Sequence, residues 1–191
     1  MAIPDNVTLF TTSRLTLRRF RTDDLATFLS YRSDPELSRY QDWTPNFSED
    51  EGHVFIHQMQ HADPVSDGLQ IAIELTAQGI LLGDLYIGPY QSRRNQASIG
   101  YTLAQPYQRA GYASEAVRGL LTYSFTILGL HRIVAEVDPR NTASVVLLER
   151  LGMRREAHHL QAYWDGGGWT DEYVYAILAQ EWLRITEKQH A

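Results

Sequence analysis

The stretch Gln108-Arg109-Ala110-Gly111-Tyr112-Ala113 decides the fold, because it separates two segments of opposite character. Residues 97–103 alternate apolar with small or polar side chains as a β-strand does, and residues 112–128 have the spacing of an amphipathic helix. Backbone N–H groups and the helix dipole favour an anion at such a helix start. Gly111 lets a ligand approach the backbone, and Arg109 adds a cation suited to phosphate. The stretch predicts a phosphate-binding turn, although an ordinary strand-to-helix turn has the same pattern.

The segments before this turn predict strands and helices in a definite order. Alternation is clearest at Leu69, Ile71 and Ile73, and the capping-box pattern Ser48 to Glu51 predicts a helix start. The last three strands before the turn form an antiparallel meander. Strands are predicted at residues 14–20, 69–76, 80–87 and 97–103, and helices near residues 22–32, 36–40 and 48–61.

The helix that begins at Ser48 carries two side-chain patterns. Apolar residues at 54, 55 and 59 predict its buried stripe. Histidines at 53, 57 and 61 repeat with helical spacing, which allows a metal-binding face, but the third partner that such a site needs is not evident. We therefore favour three solvated histidines and predict no metal site.

The segments after the turn predict a different chain path. A strand, a helix and a second strand in succession imply a parallel pair with a right-handed crossover. The elements are a helix at 112–128 ended by Gly129, a strand at 131–137, a helix at 141–151, strands at 153–162 and 173–178, and a tail helix at 181–188. The fold class is therefore α+β: a mixed, mostly antiparallel sheet of six or seven strands, flanked by helices. Its central parallel pair splays apart, and such clefts bind ligands.

Composition narrows the functional classes. The 191 residues are 43% hydrophobic and 21% charged, which suits one globular domain. No cysteine is present, so disulfides, thiolate metal sites and a cysteine nucleophile are excluded. A net charge of −6 argues against nucleic acid as a partner and is compatible with a cationic amine. No apolar run approaches the length of a membrane span of about 18 residues, and we expect a cytoplasmic location.

Four segments of the chain resemble the GNAT superfamily of acyl-CoA-dependent N-acyltransferases. QRAGYA at 108–113 is similar to the superfamily signature [Q/R]-x-x-G-x-[G/A], which binds the pyrophosphate of acetyl-CoA. Together they resemble the branch that contains the ribosomal-protein N-terminal alanine acetyltransferases. The segments are QRAGYA at 108–113, YASEA at 112–116, SRLTLRRF at 13–20 and NTASVVLLERLGM at 141–153.

This resemblance implies a function and a domain organisation. The expected activity is transfer of an acetyl group from acetyl-CoA, as co-substrate, to a primary amine by direct attack in a ternary complex. The acceptor would be a protein N-terminal α-amine or a small-molecule amine such as a polyamine, an aminoglycoside or an amino-acid analogue. Two alternatives are a non-catalytic acyl-CoA-binding sensor and a nucleotide-binding domain of another class. An exposed sheet edge or the C-terminal strand could pair two chains as a homodimer. The expected organisation is an N-terminal extension at 1–12, an N-acetyltransferase domain at 13–182 and a C-terminal tail at 183–191.

The resemblance also nominates site residues. Leu103 ends the strand whose backbone N–H groups lie near the thioester. Asn141 matches the position whose amide contacts the pantetheine arm, and Ser144 matches the position proposed to protonate the thiolate. A serine three residues after an asparagine at a helix start is also explained by plain capping chemistry. Arg109 departs from the branch, which often has glycine there. The expected coenzyme-binding residues are Leu103, Gln108, Arg109, Ala110, Gly111, Tyr112, Ala113, Ser114 and Asn141.

The general base is not assigned by the resemblance. Relatives carry glutamate at two positions, and these are Ser98 and Ala162 here. Aromatic residues Trp43 and Phe47 lie in the region that walls the acceptor site, or they pin their loop to the core. A carboxylate in a cleft could accept the proton through water. The substitutes considered are Glu74, Asp84, Glu136, Asp171 and Glu172 for the base, and Tyr173 and Tyr175 for the acid.

Overall fold

The computed structural model describes residues 7–43, 45, 47–91 and 93–190, with only the backbone of residues 189 and 190. Residues 44 and 46 of the loop before the third helix therefore lie outside the described residues. The strands are β1 (Thr8–Thr11), β2 (Leu15–Arg18), β3 (Leu69–Leu75), β4 (Ile80–Pro89), β5 (Gln96–Leu103), β6 (Arg132–Val137), β7 (Arg154–Trp164) and β8 (Trp169–Leu178). The helices are α1 (Leu25–Arg32), α2 (Pro35–Ser38), α3 (Glu49–His61), α4 (Tyr112–Thr126), α5 (Thr142–Arg150) and α6 (Ala179–His190).

The strands form one mixed sheet in the order β1-β2-β3-β4-β5-β6-β8-β7. β5 and β6 pair in parallel, whereas β1–β2, β2–β3, β3–β4, β6–β8 and β7–β8 pair antiparallel. This confirms the predicted mixed α+β sheet with one parallel pair. The sheet has eight strands rather than six or seven, because β1 forms within the segment predicted to be an extension and pairs with β2 through Phe10 and Leu17.

The chain separates into two compact units, each described by itself. The first unit comprises residues 1–88 and 100–119, and the second comprises residues 89–99 and 120–191. β5 and α4 therefore each contribute residues to both units.

An aromatic core holds α1 and α3 in the first unit. Phe20 and Phe28 are fully buried, and Phe28 stacks on Phe55 with ring centroids 5.1 Å apart. Ile56 is buried and Phe55 packs beside it, whereas Val54 is 58% exposed. The predicted stripe was therefore wrong at Val54, because the buried face of α3 is centred one or two residues further along.

The capping box that begins α3 is present as predicted. The Ser48 hydroxyl oxygen accepts a hydrogen bond from the backbone N–H of Glu51, and the Glu51 carboxylate accepts one from the backbone N–H of Ser48. These bonds satisfy donors that a helix start leaves unpaired. The helix N-terminus is thereby closed by its own side chains.

The core of the second unit lies on both faces of β6 and β8. Val134 and Val174 pack with Ala176 on one face, where Tyr90 covers them. On α6, Trp182 is 1% exposed and its indole N–H donates to the Thr122 hydroxyl at 3.2 Å. The tail helix is therefore fixed to its unit by a buried aromatic side chain.

Two features are absent from the described part of the chain. No helix there has both the length and the apolar character of a membrane span. No group of three or more His, Asp or Glu side chains there is arranged to hold a metal ion. The three histidines of α3 are exposed.

Candidate active site

The parallel pair of strands is short. Its register joins Gln96 to Arg132, Ala97 to Ile133 and Ser98 to Val134. β5 continues through Leu103 and β6 through Val137, so five of the eight residues of β5 and three of the six residues of β6 lie beyond the ladder. This pattern agrees with the predicted divergence of the pair towards its C-terminal ends.

A β-bulge in β4 lies against the end of β5. The register of β3 with β4 passes from Gly83 to Leu81, which leaves Leu82 unpaired in the ladder, and the Leu82 carbonyl accepts from the Ala104 N–H at 2.9 Å. Gly83 has φ +155°, and a Cβ there would lie 2.1 Å from the Thr102 carbonyl oxygen. Glycine at 83 therefore permits this close approach, as is common at bulges beside functional sites.

The turn predicted to bind phosphate has a glycine in the left-handed conformation directly before α4. After a 3-10 turn at Gln105–Tyr107, the Gln108 side-chain amide donates to the Leu103 carbonyl at 3.0 Å. Gly111 has φ +82° and immediately precedes the first residue of α4. Since glycine has no side chain, this helix start has no capping group at the residue before it, and its first N–H groups face outward from the helix end.

Arg109 occupies a backbone conformation that favours glycine. Its φ is +63°, in the left-handed region. A residue with a Cβ costs about 1–2 kcal/mol in that conformation. Arginine at this position therefore carries a backbone strain that glycine would avoid. The residue is exposed.

The second helix start named by the sequence is capped. The Asn141 side-chain oxygen accepts from the Ser144 backbone N–H at 3.2 Å, so Asn141 is the N-cap of α5. This confirms the capping interpretation. The two N–H donors of the amide are not used by that bond and can serve a ligand.

Two of the substitute carboxylates are held by buried arginines. Asp84 is 2% exposed and accepts from the Tyr31 hydroxyl at 2.5 Å and from Arg32 at 3.1 Å. Glu74 is 8% exposed and accepts from Arg18 at 2.7 Å. Both carboxylates are thus engaged by buried partners, and removal of either arginine would leave a buried charge uncompensated.

Two other substitutes pair with histidines on β7. Asp171 lies 2.7 Å from His158 and also accepts from the Gln161 backbone N–H, which lowers the pKa of its carboxyl group. Glu172 lies 3.3 Å from His159. Asp171 thus fixes the irregular part of β7, where the register shifts between residues 159 and 163 and where Ala162 is found.

The tyrosines offered as acids also have internal partners. Tyr175 donates its hydroxyl to Glu149 at 2.9 Å, and burial together with this bond raises the pKa of Tyr175 to about 12. Tyr173 packs edge-on against His158 and under the guanidinium of Arg155. Tyr175 is therefore part of the core of the second unit.

Glu136 differs from the other carboxylates. It is exposed, yet the protein atoms around its carboxyl group raise its pKa, and the negative charge of Glu172 raises it further, while His159 lowers it. Tyr90 packs against the cluster of Val134, Val174 and Ala176, and burial together with the charge of Glu136 raises the pKa of its hydroxyl. A carboxylate in such surroundings holds a proton more readily than a free glutamate does.

The two aromatic residues of the first-unit loop have contacts within their unit. The guanidinium carbon of Arg32 lies 3.8 Å from the ring centroid of Trp43, and Phe47 packs edge-on against Phe28 and Phe55. These contacts support the interpretation that the aromatics pin the loop to the core.

The predicted coenzyme residues divide between the units. Asn141 belongs to the second unit together with Ser144, Ser98 and Glu136. The first unit contains the other predicted coenzyme residues, which are Leu103, Gln108, Arg109, Ala110, Gly111, Tyr112, Ala113 and Ser114.

Sequence reasoning missed the contacts that support the phosphate turn. Arg14 and Glu115 are joined at 2.6 Å across a sequence separation of 101 residues. Both stand inside segments that carry the resemblance, SRLTLRRF and YASEA, and this was the available signal.

Comparison with known proteins assigns this combination of fold and turn to the N-acetyltransferases. Residues 14–154 match the family model described as an acetyltransferase (GNAT) domain. The chain is a member of the GNAT family of N-acetyltransferases. The alternative of a nucleotide-binding domain of another class was therefore wrong, and the chain is an enzyme rather than a non-catalytic sensor.

Three known proteins illustrate what the chain is similar to. The uncharacterized N-acetyltransferase YnaD of Bacillus subtilis is 32% identical over 174 residues, 90% of this chain and 98% of the relative. The crystal structure of spermidine N-acetyltransferase from Vibrio cholerae, in complex with CoA and spermine, has a TM-score of 0.80 and 27% identity, covering 90% of this chain and 99% of that one. The [ribosomal protein uS5]-alanine N-acetyltransferase of Escherichia coli is 31% identical over 84 residues, 44% of this chain and 43% of the relative. The resemblance to a branch with ribosomal-protein acetyltransferases is thus confirmed.

Proposed function

We propose that this protein transfers the acetyl group of acetyl-CoA to a primary amine by direct attack in a ternary complex. The observation that carries the proposal is the start of α4, where the preceding residue, Gly111 at φ +82°, has no side chain that could cap the helix. An anion such as pyrophosphate is stabilised there by N–H groups and the helix dipole. The similar spermidine N-acetyltransferase was crystallised with CoA, which supports the choice of donor.

The coenzyme would contact several backbone groups and few side chains. In this proposal the N–H groups of residues 109–114 hold the pyrophosphate, and Leu103 presents backbone near the thioester. Gln108 shapes the turn, because its backbone N–H is bonded to the Gln105 carbonyl and its side-chain amide to the Leu103 carbonyl. Asn141 offers its amide N–H groups to the pantetheine arm, since its oxygen caps α5.

The reaction requires a neutral amine and a proton path. The amine nitrogen forms a bond to the thioester carbonyl carbon, and the carbon–sulfur bond then breaks to release CoA as a thiolate. One proton leaves the attacking nitrogen, and one is supplied to the sulfur, for which Ser144 is our candidate. Because a primary amine has a pKa of about 8 to 10, a base near it increases the neutral fraction.

Glu136 is our candidate for that base. Ser98 occupies a position where relatives carry glutamate, and it pairs with Val134 in the parallel ladder. Residues two apart on a strand share a face, so Glu136 is the next side chain after Val134 on the face that Ser98 also points to, about 7 Å further along. Its raised pKa suits proton transfer near neutral pH better than that of a free glutamate.

The acceptor would be a protein N-terminal amine or a small polyamine. Relatives act on both kinds of amine, as the names of the uS5-alanine and spermidine enzymes state. Both acceptors are cationic at neutral pH, and a chain of net charge −6 attracts either one.

A thiol-release assay tests the activity directly. The chain has no cysteine, so every thiol that appears comes from CoA. Acetyl-CoA is incubated with alanine-terminated peptides, spermidine, aminoglycosides and amino-acid analogues, and acetylated product is identified by mass. We expect release that depends on one acceptor class. Coenzyme binding without release across the whole panel would contradict the proposed activity.

The role of Glu136 is tested by the pH dependence of kcat/KM. We expect Glu136→Gln to lower kcat and to remove the acidic limb of the profile. Glu172→Gln is the matched variant: it removes the charge that raises the pKa of Glu136, so the acidic limb should move to lower pH while activity is retained. An unchanged acidic limb in Glu136→Gln would assign the base elsewhere.

A further inference from the structure

A carboxylate stands one turn inside the helix that would receive the pyrophosphate. Glu115 is the fourth residue of α4, and its backbone N–H closes the first turn by donating to the Gly111 carbonyl at 3.1 Å. A negative charge at this place competes with a bound phosphate for the same helix end. The site therefore needs something that neutralises Glu115.

The turn between β1 and β2 supplies the groups that neutralise Glu115. One carboxylate oxygen of Glu115 accepts from the Thr12 hydroxyl at 2.6 Å, the Ser13 hydroxyl at 3.0 Å and the Arg14 backbone N–H at 2.8 Å. The other accepts from the Arg14 Nε at 2.6 Å. Burial would raise the pKa of Glu115, but these bonds outweigh it and lower the pKa, so the carboxylate is charged and saturated.

The rest of the Arg14 guanidinium contacts the phosphate turn itself. Its Nη1 donates to the Ala110 carbonyl at 3.1 Å, and its central carbon lies 4.4 Å from the centroid of the Tyr112 ring. A Cβ added to Gly111 would lie 3.5 Å from its Nη2. One side chain thus touches three consecutive residues of the turn.

The bond to Ala110 fixes the direction of a peptide plane. In a trans peptide the carbonyl of one residue and the N–H of the next point in opposite directions. Since Arg14 holds the Ala110 carbonyl on its own side, the Gly111 N–H points away from Arg14, to the side where a phosphate would be bound. The same bond keeps the carbonyl oxygen from facing the anion.

We propose that Arg14 is the positioning residue of the coenzyme pyrophosphate turn. It neutralises Glu115 and orients the Ala110–Gly111 peptide, and it acts through these groups rather than through contact with phosphate. This inference rests on the proposed use of acetyl-CoA, and the proposed function does not depend on it in return.

The test compares Arg14→Ala with a second arginine of the same charge. Arg94 is exposed and belongs to the second unit, so Arg94→Ala is the control for the loss of one positive charge. We expect Arg14→Ala to raise the KM and the Kd for acetyl-CoA about tenfold, with kcat at saturation unchanged, and Arg94→Ala to change neither. Arg14→Lys should be intermediate, because one ammonium group cannot bond both Glu115 and Ala110 in the manner of a guanidinium.

Removing the opposing charge gives the decisive measurement. In the variant Arg14→Ala/Glu115→Gln no carboxylate remains at the helix start, so we expect roughly half or more of the lost binding free energy to return. No recovery in the double variant would overturn the positioning role and indicate direct phosphate contact. If Arg14→Ala is poorly folded by circular dichroism, Arg14→Lys with and without Glu115→Gln gives the same comparison.

The outcomes separate this inference from the proposed function. If the unchanged protein binds acetyl-CoA and Arg14→Ala binds it equally well, the inference is wrong and the proposed function stands. If the unchanged protein does not bind acetyl-CoA by calorimetry, the proposed function fails first.

Discussion

The helices α4 and α5 begin in opposite ways. At α5 the Asn141 side chain bonds the Ser144 N–H, so the helix start is closed by its own residue, as α3 is closed by Ser48 and Glu51. At α4 the preceding residue is glycine in a left-handed conformation, and no side chain is available at that position. Both starts were nominated for coenzyme contact from the sequence.

The difference shows which part of each start can serve a ligand. An uncapped start offers backbone N–H groups and a positive dipole end, which suit a phosphate. At the capped start of α5, the side-chain oxygen of Asn141 already bonds a backbone N–H group. The side-chain N–H groups of the same amide are donors that suit a neutral amide or carbonyl group. We therefore propose that α4 binds the charged part of the coenzyme and that Asn141 contacts its pantetheine arm.

The largest effect is expected when the uncapped start is altered. Gly111→Val places a β-branched residue at φ +82°, which costs about 1–2 kcal/mol or more of backbone strain and disturbs the turn. We expect calorimetry to show that the affinity for acetyl-CoA falls by roughly tenfold or more. The matched control is Gly129→Val, at φ +64° with nothing within 4 Å of an added Cβ. It should lower the melting temperature similarly and leave affinity unchanged; equal affinity in both variants would remove α4 from the binding site.

The capped start gives the next largest effect. Asn141→Ala removes the cap and should cost about 1 kcal/mol of unfolding free energy in denaturant titrations. Asn141→Ser restores a capping oxygen without the amide N–H groups. We expect the serine variant to recover stability but not acetyl-CoA affinity. Recovery of both would mean that Asn141 is a cap alone.

Substitutions of Arg109 test what this strained residue contributes to the start of α4. Arg109→Gly should gain about 1 kcal/mol of stability by relieving the left-handed strain, whereas Arg109→Ala should not, because alanine keeps a Cβ. Both variants remove the guanidinium, so a modest loss of acetyl-CoA affinity shared by the two would place the side chain on phosphate. Stabilisation of the alanine variant to the same degree would contradict the strain.

The smallest effect concerns the stability in acid that Glu115 contributes at the start of α4. The folded protein lowers the pKa of Glu115 below its ordinary value of 4.5, so its stabilising contribution is fully present above that pH and is lost as pH falls through the lowered pKa. The difference in unfolding free energy between the unchanged protein and Glu115→Gln should therefore shrink below about pH 4.5. A difference that grows on acidification would have the wrong sign.

Helices and strands were predictable from the sequence where apolar side chains alternate or repeat over a long run. α4 and the strands of the meander have such patterns, and their helix or strand identity was predictable. β7 is exposed along almost its whole length, so no buried alternation marks its C-terminal half. β1 has four residues, and pairing with β2 rather than its own pattern makes it a strand.

The candidate site was predictable where one segment carries it. The turn at 108–113 is local, and its glycine was recognised in advance. The Arg14–Glu115 pair was not, because its partners are about a hundred residues apart. Glu136 could be nominated among five carboxylates, and the pairing of Ser98 with Val134 then favoured it over the others.

Trp182 gives the second unit an optical reporter. The chain contains four tryptophans, and of these Trp164 and Trp169 are more than half exposed, whereas Trp182 is fully enclosed and hydrogen-bonded to Thr122. An enclosed indole emits at shorter wavelength than one in water, so melting of α6 from its unit should shift emission to the red. Trp43, stacked on Arg32, belongs to the first unit. A Trp43→Phe variant would therefore report the second unit alone, and its difference from the unchanged protein would report the surroundings of Trp43 in the first unit.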